Sequence, residues 1–147
     1  MYAGFWKRFA AAFIDSLILL IPNFIVGLVI GLVIGIVMGA SGMEPDTIQF
    51  VAGGLGNIVG IVIGWPYFAY FESSEKQATP GKMLLGIQVT DLEGQRISFS
   101  KASLRYFGKI LSSLICFIGY IMAAFTEKKQ ALHDMLAGCL VVQKPQD

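Results

Sequence analysis

The sequence predicts an all-α polytopic membrane protein: a two-helix transmembrane hairpin, a third apolar segment that is either spanning or re-entrant, and a small cytoplasmic β-hairpin. Three observations predict it. Hydrophobic residues make up 55% of the 147 positions and charged residues only 14%, against about 25% in soluble domains. The apolar residues are continuous: no charge falls between Asp15 and Glu44, or between Asp46 and Glu72, and each run exceeds the roughly 20 residues that cross a bilayer core. Lys and Arg cluster outside these runs and are missing from the link between them. At this length one domain, 1–147, is expected.

The first apolar segment covers about 9–38. A secretory leader would have an apolar stretch of about 7–15 residues, and this one is far longer and takes in Asp15 near its start, so it reads as an uncleaved helix. Pro22 removes one backbone hydrogen bond and predicts a bend. The link "GASGMEPDT" is rich in turn residues and has no cation. The second segment, about 48–71, closes on "WPYFAYF", an aromatic cluster suited to a membrane–water interface.

Residues 72–105 carry Lys76, Lys82, Arg96, Lys101 and Arg105. Such density marks the cytoplasmic side, and Lys7 and Arg8 place the N-terminus there too. In this loop "GIQVTDLEGQRISFS" alternates through Ile87 and Val89, offers a turn at Glu93-Gly94 and alternates again through Ile97 and Phe99, the pattern of a hairpin. The tail stretch "GCLVVQK" is a candidate third strand. The third apolar segment, 106–126, has a charge-free core of about 17 residues, the lower limit for a span. A span puts the amphipathic tail 127–147 outside; a re-entrant or kinked segment returns it to the cytoplasm.

Glycines recur at four-residue spacing: Gly27, Gly31, Gly35 and Gly39 in the first segment, Gly56, Gly60 and Gly64 in the second. Such ladders let helix backbones approach closely. They either pack the two helices together or meet a second copy or partner membrane protein.

The polar residues are few. Arg8 and Asp15 are seven apart and so share a helix face, with Ala11 and Ala12 between them. They are about 10 Å apart along the axis, so either a third group sits between them or Arg8 snorkels while Asp15 pairs with another helix. An acid inside an apolar helix is costly and calls for a partner or a wet cavity. Candidate partners are Arg105 and Lys109, an i,i+4 pair at the mouth of segment three, and the tail helix "TEKKQALHDMLAG", with His133 and Asp134 beside an apolar face of Leu132, Met135 and Leu136. Lys82, Arg105 and Lys109 are possible cytoplasmic support for that cluster.

Other chemistry is not signalled. "PGKM" lacks the frame and hydroxyl of a phosphate-binding loop, and no nucleophile elbow or metal-ligand cluster is present, so no enzyme, metal or cofactor is expected. A net charge of +1 gives no nucleic-acid signal. Cys116 and Cys139 lack metal-ligand spacing and do not read as a disulfide framework.

Four ordered stretches, "YAGFWKRFAAAFIDSLILL", "QATPGKMLLGIQVTD", "SLRYFGKILS" and "AFTEKKQALHDMLAGCLVV", resemble the RDD family of bacterial membrane proteins. The resemblance implies an inner-membrane location and a functional arginine and two aspartates, which map onto Arg8, Asp15 and Asp134. It departs at Cys139, where similar sequences often have threonine. If Asp134 joins the site of Arg8 and Asp15, the tail is cytoplasmic and the third segment re-entrant. The resemblance also implies transport, with cation or proton exchange as one form: Asp15 would hold the proton or cation, with Arg8 its electrostatic partner and Asp134 and His133 at the gate. The alternative is a structural or accessory membrane protein that uses the trio to lock its fold and oligomerises through the ladders.

Overall fold

The computed structural model describes residues 1–115 and 118–145. The elements are α1 (Phe5–Ala40), α2 (Pro45–Ser73), α3 (Pro80–Leu84), β1 (Ile87–Asp91), α4 (Phe99–Leu114), α5 (Ile118–Phe125), α6 (Leu132–Ala137) and β2 (Cys139–Gln143). Two of these helices, α1 and α2, are long and apolar enough to cross a membrane, and a third stretch qualifies if α4 and α5 count as one. The chain divides into two compact units, Leu17–Gly64 on one side and Met1–Ser16 with Trp65–Asp147 on the other.

Leu17–Gly64 holds most of α1 and the first part of α2. Its helices carry exposed Phe24, Ile36 and Phe50, the surface that lipid rather than water would cover. The turn between them uses Gly42 at φ +73°, where a side chain would be strained. Asp46 sits in the first turn of α2, where a carboxylate favours the positive end of the helix dipole. A Cβ placed on Gly27, Gly31, Gly35, Gly39 or Gly56 meets nothing within 4 Å, and one on Gly60 meets only Asn23 Oδ1 at 3.9 Å. Gly64 is buried. The ladder faces are therefore largely open within the chain.

The other unit is built on a two-stranded antiparallel sheet, with Ile87 opposite Gln143 and Asp91 opposite Cys139. The N-terminus runs beside β2: Tyr2 bridges Val142, Ala3 N–H donates to Val141 O at 2.8 Å, and Gln143 N–H donates to Met1 O at 2.9 Å. The apolar core is small and alanine-rich, with Ala3, Ala11, Ala69, Ala102 and Ala137 around Ile87, Val89, Ile97 and Val141.

The expected hairpin partner of β1 is not a strand. The turn forms, with Asp91 N–H donating to Gln95 O at 2.9 Å and Gly94 at φ +80°. Ser98 then caps α4, its hydroxyl accepting from Lys101 N–H, a start signal that ends any extended run. Ile97 turns into the core, and β2, the candidate third strand, takes the vacant edge.

The third apolar segment begins at Phe99 rather than 106 and consists of α4 and α5, set at 105° to each other. Helix α4 buries Ala102, Arg105, Gly108 and Ser112 and exposes Leu104, Phe107, Leu111 and Leu114. Gly119 in α5 is required there, because a Cβ would lie 2.5 Å from Ser112 Oγ and 3.1 Å from Leu132 Cβ. Cys116 lies outside the described residues; Cys139 is a buried free thiol.

Candidate functional site

Arg8 and Asp15 share a face of α1, as their spacing predicts, but each serves a different segment. Asp15 is fully buried and receives the turn before α3. Thr79 Oγ1 donates to it at 2.5 Å, Gly81 N–H at 2.8 Å and Tyr67 O–H at 2.9 Å. The sequence of that turn explains its shape. Thr79 caps α3, accepting from Lys82 N–H, and Pro80 occupies the first helical position, where its missing N–H costs nothing. Gly81 must lack a Cβ, which would strike the Ala11 carbonyl and lie 2.9 Å from the Asp15 carboxylate. Ala11, between Arg8 and Asp15, thus leaves space that this turn fills.

Arg8 takes the tail. Its Nη1 donates to Lys129 O at 2.7 Å and its Nη2 to Asp134 Oδ2. Asp134 also accepts from Ala131 N–H at 3.0 Å, which caps α6, and from Arg105 Nε at 2.7 Å. Arg105 Nη1 reaches both oxygens of Glu72 at 2.6 Å. Glu72 pairs with Lys82 as well, and Lys109 Nζ lies 3.7 Å from it. A continuous line of charge therefore runs Arg8–Asp134–Arg105–Glu72–Lys82. Among the described residues every buried side-chain nitrogen and oxygen has a partner.

His133 is buried rather than superficial, with Nε2 3.5 Å from Asp134 Oδ1. Burial holds its imidazole well below the ordinary value, neighbouring Arg105, Lys109 and Arg8 push the same way, and Asp134 only partly opposes them. The ring is neutral at physiological pH. For Asp134 burial favours the proton, but Arg105 and then Arg8 outweigh it and hold the carboxyl well below the usual range. Burial brings the Lys82 ammonium down to about 7, with Glu72 resisting and Arg105 and Lys109 assisting.

Arg8, Asp15, Lys82, Arg105, Lys109 and His133 all contribute to the wall of one cavity of about 360 Å³. The structure thus joins Arg8, His133 and Asp134 with Lys82, Arg105 and Lys109, and sets Asp15 beside them without a direct ion pair. Among the described residues no three His, Cys, Asp or Glu side chains converge as metal ligands.

Sequence reasoning missed Glu72, Tyr67, Thr79 and Gly81. Glu72 had a signal: it closes the apolar run "WPYFAYFE" much as Asp15 opens the other. Thr-Pro at 79–80 is a helix-start signature, and Gly81 follows it directly.

Long apolar helices joined to a compact unit held by buried arginine–carboxylate pairs define a small integral membrane protein. The RDD family signature matches residues 2–138, and the chain belongs to that family. It is 39% identical to the uncharacterised protein YxaI of Bacillus subtilis, over 97% of both chains. It is 28% identical to the uncharacterised membrane protein YteJ of the same organism, over 97% of this chain and 82% of that one. No solved structure matches.

Proposed function

We propose that this RDD protein is a multi-pass inner-membrane protein that binds and translocates a small charged ligand through the cavity beside Arg8, Asp15 and Asp134. One observation carries this reading: the ion-paired charges also border about 360 Å³ of space. Lys109, at 3.7 Å from its nearest carboxylate oxygen, is the loosest of them.

A parity argument supports the topology. Residues 1–3 are hydrogen-bonded to β2, so the two chain ends share a side of the membrane and the crossings are even in number. Helices α1 and α2 supply two, and the 105° angle between the axes of α4 and α5 suits a segment that enters and returns. The Lys- and Arg-rich side is cytoplasmic by the positive-inside tendency. One protomer offers few spans for a path, and the open glycine faces suit close approach by a second copy.

The second reading, a network that only locks the fold, is favoured by its complete hydrogen-bonding, since satisfied buried networks rigidify. Proteoliposomes loaded with a pH-sensitive dye separate the two. Wild type is expected to give a pH change under an imposed sodium, potassium or phosphate gradient, and Lys109→Gln, checked for folding by gel filtration, a smaller one. Flux no greater than in protein-free liposomes removes translocation and leaves the structural role; flux equal in both proteins removes this cavity as its path.

A further inference from the structure

We propose that the cavity takes an anion with an apolar tail, a fatty carboxylate or the phosphate of a membrane lipid, its head against Lys109 and its tail leaving past Phe9, Ala12 and Ile121. The inference rests on the reading of this cavity as a ligand site, and it is independent of whether the ligand is moved.

Charge is the first argument. The ion-paired line contains four cations, Arg8, Lys82, Arg105 and Lys109, and two carboxylates, Glu72 and Asp134. Asp15 is the third acid, and its oxygens already accept from three neutral donors. Below pH 7, where Lys82 keeps its proton, four cations face three acids with His133 neutral, which leaves one positive charge in excess. A buried charge without a counter-ion is expensive, and an anion in the cavity supplies one. A cation would add to the excess, so the wall favours an anion over the cation expected from the sequence.

Lys109 is placed to receive it. Its ammonium has three donors, lies 3.7 Å from Glu72 and sits 4.1 Å above the Phe68 ring, a contact that orients the cation without using a donor. The other cations are committed to closer partners.

The mouth argues for the tail. Of the lining residues, Phe9, Ala12 and Ile121 are exposed, while Asp15, Lys82, Arg105 and His133 are buried. The cavity is therefore polar at its closed end and apolar where it opens. An inorganic ion would leave that mouth wetted and unused; an alkyl chain covers it. At about 360 Å³ the space is near the lower limit of ligand pockets, enough for a headgroup and the first methylenes, with the remaining chain in the bilayer. Basic pockets between helices on the cytoplasmic side are a known way to hold lipid headgroups.

The test uses the full-length protein in an uncharged detergent and follows its thermal midpoint with decanoate, decanol, decyltrimethylammonium or inorganic phosphate. Decanoate is expected to raise the midpoint, and the uncharged and cationic chains are not. Lys109→Gln, which removes the receiving charge, and Ala12→Trp, which blocks the mouth and leaves every charge in place, should each weaken decanoate binding about tenfold. Lys76→Gln, an exposed lysine away from the cavity, should not. Competition by phosphatidylglycerol in nanodiscs assigns the lipid as the source; its failure assigns the free fatty acid. Equal stabilisation by the cationic chain, or decanoate binding unchanged in both cavity variants, overturns the proposal. Phosphate acting as strongly as decanoate, with Ala12→Trp silent, overturns the amphiphile. Decanoate binding without flux in liposomes removes translocation and leaves this inference standing.

Discussion

Glu72→Gln removes one charge from the most connected carboxylate of the network and barely changes its volume. Glu72 is 1% exposed and faces Arg105 through two contacts of 2.6 Å, Lys82 through an ion pair and Lys109 at 3.7 Å. Glutamine keeps one acceptor oxygen but turns an amide N–H₂ toward those cations. Removing one partner of a buried pair costs about 3–5 kcal/mol. The cost here depends on pH, because Lys82 sits near 7 with Glu72 helping to keep its proton. Without Glu72 the amine gives up its proton more readily, which relieves one of the stranded charges. The loss should lie near the upper end of that range at pH 6 and near the lower end at pH 8. At about 2–4 °C per kcal/mol for a chain of this size, the midpoint falls by roughly 10 °C. Thermal unfolding in uncharged detergent reads it through Trp65, whose indole N–H donates to Ser103 at 2.8 Å. Glu72→Gln/Lys82→Met should recover part of the loss, since the second change removes a charge stranded by the first. A midpoint within about 2 °C of wild type would refute the idea that this line of charge holds the unit together.

Gly81→Ala drives a Cβ into the Ala11 carbonyl and the Asp15 carboxylate and should cost about 1–3 kcal/mol. Gly31→Ala, with open space around it, should be neutral or slightly stabilising in the protomer; thermal midpoints of the two compare them directly. Stability should rise from acid to alkaline pH. Below 6.5, the ordinary value for histidine, an unfolded chain takes up a proton that the buried His133 refuses, so stability falls on acidification by up to about 1.4 kcal/mol per pH unit. From about 7 to 10.5 the folded Lys82 has lost a proton that the unfolded chain keeps, so stability climbs; His133→Gln should flatten the first limb and Lys82→Met the second. For topology, single cysteines at Lys76 and Lys144 should react with an impermeant reagent from the same side of the membrane, and one at Glu44 from the other. Opposite labelling of Lys76 and Lys144 would mean that α4 and α5 cross.

The long helices were legible because charge-free runs of that length have few other uses. The alignment of Arg8 with Asp15 was legible too, and so was their separation, since periodicity and rise fix both. What filled the gap was not legible. The Thr79–Gly81 turn and the Asp134 carboxylate come from distant parts of the chain, and spacing within one helix says nothing of which of two neighbours reaches which residue. The hairpin expectation failed for a related reason. Alternation at Ile97 and Phe99 shows which residues face alike, but Ser98 is a helix cap, and the strand that pairs with β1 lies about fifty residues further on.

The tail helix shows the more general point. Leu132, Met135 and Leu136 form its apolar face as the sequence indicates, yet Met135 and Leu136 are exposed, and His133 and Asp134 are buried. Helix α4 does the same with Leu104, Phe107 and Leu111 outside and Arg105 inside. Amphipathic periodicity identifies the two faces, but the surrounding medium decides which turns inward, and beside lipid the apolar face has no reason to hide. The unit thus has an apolar coat around a charged interior, and half of its apolar core is alanine. Beyond Ile87, Val89, Ile97 and Val141, the inner packing depends on charges in a low-dielectric setting, where an excess is felt strongly. Such an interior is sensitive to any group that changes its charge count, which is why the proposed anion beside Lys109 should register as a shift in thermal midpoint.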